Sequence, residues 1–352
     1  MPGKVLPVTK CYPVMSNMLS RSRFAYGTAA TLAGAGLASA PARAAQFAMK
    51  IGHNLPIDHP IHVRLVQMWK AVRDETSGKL DVAIFPNSQL GGDSAMISQL
   101  RLGALQFMMI GTGPLTSSVP LCAIESTPFA WRSETEALQA MDGQLGAYIA
   151  KAVEAKLGLI TFPKKWPLGF HEITSSTHPM RNADDLKDFK IRVSPSVMLV
   201  DTFKTLGASP IVTSLAELYT ALQTHLVDGQ ETPYSTVELS RYYEVQKYLS
   251  VSNHVWAAYW LGVNPDAWKS LPADVQAVVQ RNAEKYAILQ RRDSKILDAS
   301  LVDKLKRQGL IFVACDRKSL QARLAGGFYA RWKKEFGETA WSLMEQVAGK
   351  VS

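Results

Sequence analysis

The sequence predicts an α/β fold of two domains joined by one long helix. Strand-like and helix-like patterns alternate from Gln46 onward, which is typical of α/β layers. The chain has 352 residues, more than one small domain usually contains. A helical pattern runs from Pro272 to Gln308 and would be ~55 Å long at 1.5 Å per residue. A helix of that length can cross both domains, and since no low-complexity linker separates them, we expect the domains to be interleaved in sequence.

The first part of the chain shows strands and helices in regular succession. Leu80, Val82 and Ile84 alternate with Asp81 and Ala83, as in a strand. Apolar residues at 65, 68, 69 and 72 recur instead at helical spacing. The patterns predict a strand over 47–52, a helix around 65–72, a strand over 80–84, a helix from Asp93 to Leu102 and a buried strand over 105–111.

The second part continues this alternation. Ser214 and Glu217 form a capping box at the start of a helix that runs to His225. Gly309 ends the long helix. The remaining patterns predict strands over 158–162, 190–193, 210–212, 245–251 and 256–263, and helices over 183–189 and 196–206.

The charge of the chain is uneven. The formal net charge is +9, but residues 1–44 hold five basic residues and no acidic one. The remaining chain is therefore only mildly basic and has no dense basic stripe, which argues against a nucleic-acid partner. Within the first segment, Arg21 and Arg23 precede an uncharged stretch, and Ala42 and Ala44 fit a cleavage site. We expect 1–44 to be a cleaved signal peptide for export.

Enzyme and metal signatures are weak. The sequence has no G-x-S-x-G elbow, no phosphate-binding loop and no dinucleotide fingerprint, so we expect no cofactor and no catalytic residues. An enzyme that acts on an organic acid remains an alternative. Another alternative is a metal-binding transport protein that uses His53, His59 and His62 beside Asp58. We favour a loop whose side chains bond the backbone or a ligand, with no metal.

Arg192 is the most informative single residue. It lies inside the apolar strand KIRV, directly before a Ser-Pro turn. Ligand crevices of α/β folds lie at the carboxyl ends of strands, and the planar guanidinium can bind a carboxylate through two hydrogen bonds. An edge-strand arginine that faces solvent is the alternative. The polar run from Asp228 to Tyr234 suits a ligand loop or a surface turn.

Several long motifs occur in a fixed order between about Ile51 and Phe336: GHNLPIDHPIH, FPNSQLGGDSAM, QLRLGAL, DLKDFKIRVSPS, FKTLGASP, SLAELYTALQTHLVDGQETP and YEVQKYLS. In these motifs the chain resembles the substrate-binding subunits of tripartite ATP-independent periplasmic (TRAP) transporters, the dicarboxylate-binding-protein family. The resemblance implies a clamshell like that of periplasmic binding proteins, closing over a small organic acid. It also implies a periplasmic location and, as partners, the small and large membrane subunits of the transporter. We expect a monomer.

The resemblance and the long helix together give approximate domain boundaries. We expect domain I to contain 46–169 and 258–297, and domain II to contain 170–257 and 298–352.

The resemblance also implies site residues. Arg192 resembles the arginine that grips the ligand carboxylate, Asn54 and Asp93 match polar positions of the first domain, and Glu231 lies in the Q-E-N-P loop of the family. Two positions depart from the pattern: His171 stands where the family has a second arginine, and Thr232 replaces an asparagine. We expect apolar walls from four aromatic residues, Phe129, Trp166, Tyr234 and Trp260.

His171 predicts the class of ligand. Histidine is mostly neutral at pH 7, so the second carboxylate of a dicarboxylate would face no permanent cation. The sequence therefore favours a 2-hydroxy or 2-oxo monocarboxylate, whose second oxygen meets His171 while Thr232 offers a hydroxyl. The aromatic residues suggest room for an apolar or aromatic tail. A C4-dicarboxylate is the alternative.

Overall fold

A computed structural model of the protein describes residues 45–351, and the predicted signal peptide over 1–44 lies outside them. The α/β class is confirmed, with two six-stranded sheets. The strands are β1 (Phe47–Gly52), β2 (Leu80–Phe85), β3 (Phe107–Gly111), β4 (Ile160–Thr161), β5 (Trp166–Phe170), β6 (Glu172–Ser175), β7 (Lys190–Val193), β8 (Ser209–Val212), β9 (Gly229–Thr232), β10 (Tyr248–Val251), β11 (Trp256–Val263) and β12 (Ile311–Ala314).

Helices surround both sheets. They are α1 (Pro60–Glu75), α2 (Asp93–Arg101), α3 (Thr112–Leu115), α4 (Glu134–Met141), α5 (Gln144–Leu157), α6 (Val197–Thr205), α7 (Leu215–Gln223), α8 (Tyr234–Leu239), α9 (Pro265–Ser270), α10 (Ala273–Arg307), α11 (Arg317–Leu324) and α12 (Phe328–Ala348), with 3-10 turns over Pro120–Ser126, Ala183–Leu186 and Tyr242–Glu244. None of the helices in the described part of the chain is long and apolar enough to cross a membrane.

The first sheet has the strand order β2-β1-β3-β11-β4, and β5 also pairs with β11. Its strands β2, β1 and β3 are parallel, whereas β11 runs antiparallel to β3, β4 and β5. The apolar run of β3 is buried on both faces: Phe107 and Met109 pack toward α1 and α10, and Met108 and Ile110 pack into the cluster that contains α5 and α12. A strand covered on both sides needs no polar alternation.

The second sheet has the order β12-β10-β6-β9-β7-β8. Its strands β9, β7 and β8 are parallel to one another, and β6 runs antiparallel to β9. The capping box of Ser214 and Glu217 is present at the start of α7, as predicted. The segment 228–234, predicted as a loop or turn, is instead the strand β9 followed by the start of α8. Its polar side chains hid a strand because their partners lie on another part of the chain: Gln230 Nε2 donates to Thr174 Oγ1 of β6 at 3.0 Å.

The chain passes from the first sheet to the second between β5 and β6, and returns between β10 and β11. The predicted long helix is present as α10, whose 35 residues contact α1 and β5 near one sheet and α8 near the other. The final helix, α12, packs on α4 and α5. The domain boundaries proposed from the sequence remain a prediction.

The two cysteines of the described chain, Cys122 and Cys315, are free.

Candidate functional site

A cavity of about 70 Å³ lies between the two sheets. Tyr259 lines it from β11, Asn54 from the loop after β1 and Asp93 from the start of α2. Arg192 and Glu231 line it from β7 and β9 of the second sheet. The other polar residues of the lining are Thr112, His171, Ser194, Thr232 and Thr236. The structure therefore brings together six residues that the sequence predicted: Asn54, Asp93, His171, Arg192, Glu231 and Thr232.

Arg192 lies near the carboxyl end of β7, where the parallel strands β8 and β9 flank it. It is buried, and its Nε and Nη2 donate to the carbonyl oxygen of Thr213 at 3.0 and 2.8 Å. These bonds fix one edge of the guanidinium, whose five N–H groups exceed what one carbonyl can accept. Burial lowers the pKa of Arg192, and the nearby Glu231 and Asp93 oppose that shift. The solvent-facing alternative for this residue is wrong.

A second group comes from the first sheet. Asn54 Nδ2 donates to both carboxylate oxygens of Asp93 at 3.0 Å, and Tyr259 Oη donates to Asn54 Oδ1 at 2.7 Å. Asp93 is the first residue of α2, where the helix dipole favours a negative charge. Burial nevertheless raises the pKa of Asp93. We call Asn54, Asp93 and Tyr259 the first wall.

Glu231 is held between two histidines. His171 Nδ1 is in hydrogen-bond contact with Glu231 Oε2, and His254 Nε2 lies 3.7 Å from the same oxygen. His254 Nδ1 pairs with Ser252 Oγ at 2.8 Å. Burial alone would raise the pKa of Glu231, but His171 and His254 lower it to about 2, so the carboxylate is ionised at neutral pH.

Three polar atoms of the lining are buried without a hydrogen-bond partner in the described structure: His171 Nε2, Glu231 Oε1 and Thr236 Oγ1. Buried polar atoms are nearly always paired, and those that are not need an explanation. A polar ligand in the cavity would supply one. We call Arg192, His171 and Glu231 the second wall.

The second wall includes a connection between the sheets. His171 is the single residue between β5 and β6, and its backbone N–H donates to the carbonyl oxygen of Val255 in the returning segment at 2.9 Å. The preceding Gly169 has a φ of 119°, a conformation that favours glycine. The histidine that faces the cavity therefore lies in one of the segments that connect the two sheets.

The two sides also meet at one edge of the cavity. A Cβ atom on Gly113 would lie 3.0 Å from Ser194 Oγ, and the backbone N–H of Val197 donates to Thr116 Oγ1 at 3.1 Å. Gly113 and Thr116 follow β3, whereas Ser194 and Val197 follow β7. Glycine at 113 permits this close approach.

The four aromatic residues expected as walls lie outside the cavity lining. Trp166 packs in the core beside the first sheet, and Trp260 Nε1 donates to Glu125 Oε2 at 3.1 Å. Tyr234 packs on Phe312, and Phe129 lies beneath the guanidinium of Arg317. Sequence reasoning missed Tyr259 instead. The error concerns the face of the strand, because Tyr259 and Trp260 are successive residues and point to opposite faces of β11.

A second buried cluster lies behind the cavity. Glu125 accepts from Thr112 Oγ1 at 2.5 Å and from the backbone N–H of Ala258 at 3.0 Å. Lys165 Nζ lies 3.4 Å from the centroid of the Trp260 ring, and burial lowers the pKa of Lys165 to about 7. Thr112 lines the cavity but Glu125 and Lys165 do not, so this cluster shapes one wall from behind.

The histidines of the first loop serve the backbone. His53 Nδ1 accepts from the N–H of Leu55, and His59 Nδ1 accepts from the N–H of Ile61 as the N-cap of α1, both at 3.2 Å. His53 Nε2 pairs with His62 Nδ1 at 3.0 Å. Within residues 45–351, no group of three or more His, Cys, Asp or Glu side chains is arranged to hold a metal ion. The Nδ1 atoms of His53 and His59 are thus both engaged by backbone N–H groups.

The fold and the cavity agree with a known family. The sequence model of "Bacterial extracellular solute-binding protein, family 7" matches residues 51–326. The chain belongs to this family. Solved structures that are similar to this chain include TRAP periplasmic solute-binding proteins, so the resemblance that the motifs indicated is confirmed.

Three family 7 relatives illustrate the range of ligands. The C4-dicarboxylate-binding periplasmic protein DctP of Rhodobacter capsulatus is 33% identical over 269 residues, covering 74% of this chain and 79% of that protein. A TRAP protein from a Polaromonas strain, bound to D-erythronate, is 31% identical with a TM-score of 0.81, covering 87% and 99% of the two chains. A sugar acid binding protein from Advenella mimigardefordensis, in complex with galactonate, is 29% identical with a TM-score of 0.83, covering 88% and 100%.

Proposed function

We propose that this protein is a periplasmic solute-binding protein that captures a small 2-hydroxy or 2-oxo monocarboxylate by hinge closure. It delivers the acid to the small and large membrane subunits of a TRAP transporter and is not an enzyme. Organic acids are the ligands named for relatives in the same family. Export through a signal peptide over 1–44 belongs to the same proposal.

The observation that carries the proposal is Arg192. Among the cavity-lining residues of the described chain it is the only arginine or lysine. A buried guanidinium that is fixed by Thr213 and still has N–H groups to donate is suited to a carboxylate, which accepts two parallel hydrogen bonds. We place the ligand carboxylate against Arg192.

The 2-hydroxy or 2-oxo oxygen of the ligand would contact His171, the part of the second wall that does not hold the carboxylate. His171 Nε2 is buried and unpartnered in the described structure, and Thr232 adds a hydroxyl to the lining. Both can bond a 2-hydroxy or 2-oxo oxygen. The ligand would then satisfy atoms on the residue that joins the two sheets, which favours the closed arrangement.

The cavity volume limits ligand size. A cavity needs roughly 10–15 Å³ to hold a single water, and this one offers about 70 Å³, which is room for a few groups of that size. A three- or four-carbon acid fits this estimate. The apolar or aromatic tail suggested by the sequence is not part of the proposal, because the four aromatic residues behind that suggestion lie outside the cavity lining.

A thermal-shift screen of organic acids tests the proposal. The protein is first unfolded and refolded to remove co-purified ligand, and lactate, pyruvate, malate and succinate are then compared. A ligand that binds only the folded state raises the melting temperature by mass action. We expect the monocarboxylates to raise it most, and a response to malate and succinate alone would contradict the proposal. Mass spectrometry after long incubation should find each acid unchanged, whereas turnover would favour the enzyme alternative.

A further inference from the structure

The charges that line the cavity are unbalanced. Two carboxylates, Asp93 and Glu231, face it together with one guanidinium, that of Arg192. His171 is the only other cavity-lining side chain in the described structure that can become a cation, and it is already in contact with Glu231. A proton on His171 is therefore cancelled by Glu231 before any ligand arrives.

We propose that Glu231, supported by Asp93, is a charge filter: the cavity accepts an acid with one negative charge and rejects an acid of the same size with two. This inference rests on the proposed function, because it takes the first carboxylate to be bound at Arg192. It gives Glu231 a second role besides contacting the ligand, namely the exclusion of ligands with two negative charges.

The argument follows from counting charges in a buried space. While Glu231 is ionised, the most positive state of the cavity has a protonated His171 and a neutral Asp93, and its net charge is +1. One carboxylate then makes the cavity neutral, but a second leaves one buried negative charge without a partner in every protonation state of the side chains that line the cavity. Such a charge is strongly unfavourable.

The surrounding groups keep Glu231 in its ionised form. His171 and His254 lower the pKa of Glu231 to about 2. Burial lowers the pKa of His254, and this histidine lies outside the cavity lining. Tyr242 and Tyr259 are the other titratable neighbours of Arg192, and burial raises the pKa of both, so they stay neutral. Burial also raises the pKa of Asp93, which makes Glu231 the more decisive of the two carboxylates.

The test uses two ligands that differ in charge but not in size. Malonate and its monoamide, malonamate, have the same number of non-hydrogen atoms, and at pH 7.5 only malonate carries a second charge. Calorimetry on the full chain should give malonamate an affinity about a hundredfold higher or more, the magnitude expected for one unpaired buried charge. Lactate serves as the reference monocarboxylate.

Variants identify the residue responsible. Glu231→Gln should reduce the preference for malonamate to about tenfold or less, because a protonated His171 can then face the second carboxylate. Asp93→Asn should reduce it by a smaller factor, and it tests the same idea should Glu231→Gln fail to fold. Glu238→Gln is the matched control: Glu238 is buried on α8 and paired with Lys304 but lies outside the cavity lining, so the preference should not change.

Three results would overturn the filter: equal affinities of the wild-type protein for the two ligands, an unchanged preference in Glu231→Gln, or tight lactate binding with no malonamate binding, which would make size or the missing 2-oxygen the cause. If none of the acids binds, the proposed function itself fails.

Discussion

The two walls of the cavity differ in how far their polar groups are already satisfied. In the first wall, Asn54 donates to both oxygens of Asp93 and accepts from Tyr259, so these three side chains bond one another. In the second wall, His171 and Glu231 each retain a buried atom with no partner in the described structure. Because buried polar groups are normally paired, the second wall needs a ligand for completion and the first does not. We therefore expect the second wall to provide most of the binding affinity and the first wall to determine the shape of the cavity.

The largest effect is expected at Arg192. Arg192→Ala removes the cation that faces the ligand carboxylate and should cost ~2–5 kcal/mol of binding free energy. Arg192→Lys should also bind weakly, since an ammonium cannot reproduce the planar fork. Calorimetry measures both, and circular dichroism checks that the variants remain folded. Near-normal affinity in a folded Arg192→Ala protein would show that the second wall is not the main source of affinity.

The second wall should also make the free energy of unfolding depend on pH. The pKa of Glu231 is lowered to about 2 in the folded protein, against ~4.3 for an unfolded glutamate. Its contribution to the free energy of unfolding is then complete above about pH 4.3 and lost as the pH falls toward 2. Denaturant unfolding between pH 5 and 2 measures this loss. Glu231→Gln should lack this part of the pH dependence, and an identical profile in the variant would refute the assignment.

The first wall should matter less to binding. Tyr259→Phe removes the hydroxyl that donates to Asn54 and keeps the ring that packs in the core. We expect a loss of about 1 kcal/mol, which is less than tenfold in affinity. A Tyr259→Phe defect as large as that of Arg192→Ala would reverse the ranking of the two walls.

The smallest effect on affinity is expected at Gly113, where the segment after β3 contacts the segment after β7. Gly113→Ala places a methyl group 3.0 Å from Ser194 Oγ, so this edge must open by a few tenths of an ångström. Affinity should fall by about two- to threefold, below the roughly 1–3 kcal/mol that overpacking costs in a closed core. Solution scattering should show that ligand reduces the radius of gyration of the wild-type protein more than that of Gly113→Ala. Equal compaction in both would mean that this contact does not limit closure.

Local patterns were sufficient for much of the fold. The apolar run of β3, the capping box of α7 and the long helix α10 were predicted because each depends on neighbouring residues in the chain. The strand β9 was missed because its polar side chains contact partners on other segments, as Gln230 does at Thr174 and Glu231 at His171. The contact between His171 and Glu231 joins residues 60 positions apart, which no local pattern could indicate.

Those residues of the candidate site were predicted whose type alone indicates how they bind a ligand. An arginine inside an apolar strand indicated a ligand contact, and the structure places Arg192 in the cavity lining. The aromatic walls were predicted from abundance alone, and abundance does not give the face of a strand on which a ring lies. On β11 the face depends on pairing with β3 and β5, so Trp260 was chosen in place of Tyr259.

The most direct test of the central claim is calorimetric titration of the refolded wild-type protein at pH 7.5 with lactate and pyruvate against malate and succinate. The second wall offers one cation that is not cancelled by a contacting carboxylate, so we expect lactate or pyruvate to bind at least about a hundredfold more tightly than either dicarboxylate. Tight binding of succinate or malate with no response to the monocarboxylates would contradict this account and would mean that another basic group faces the second carboxylate.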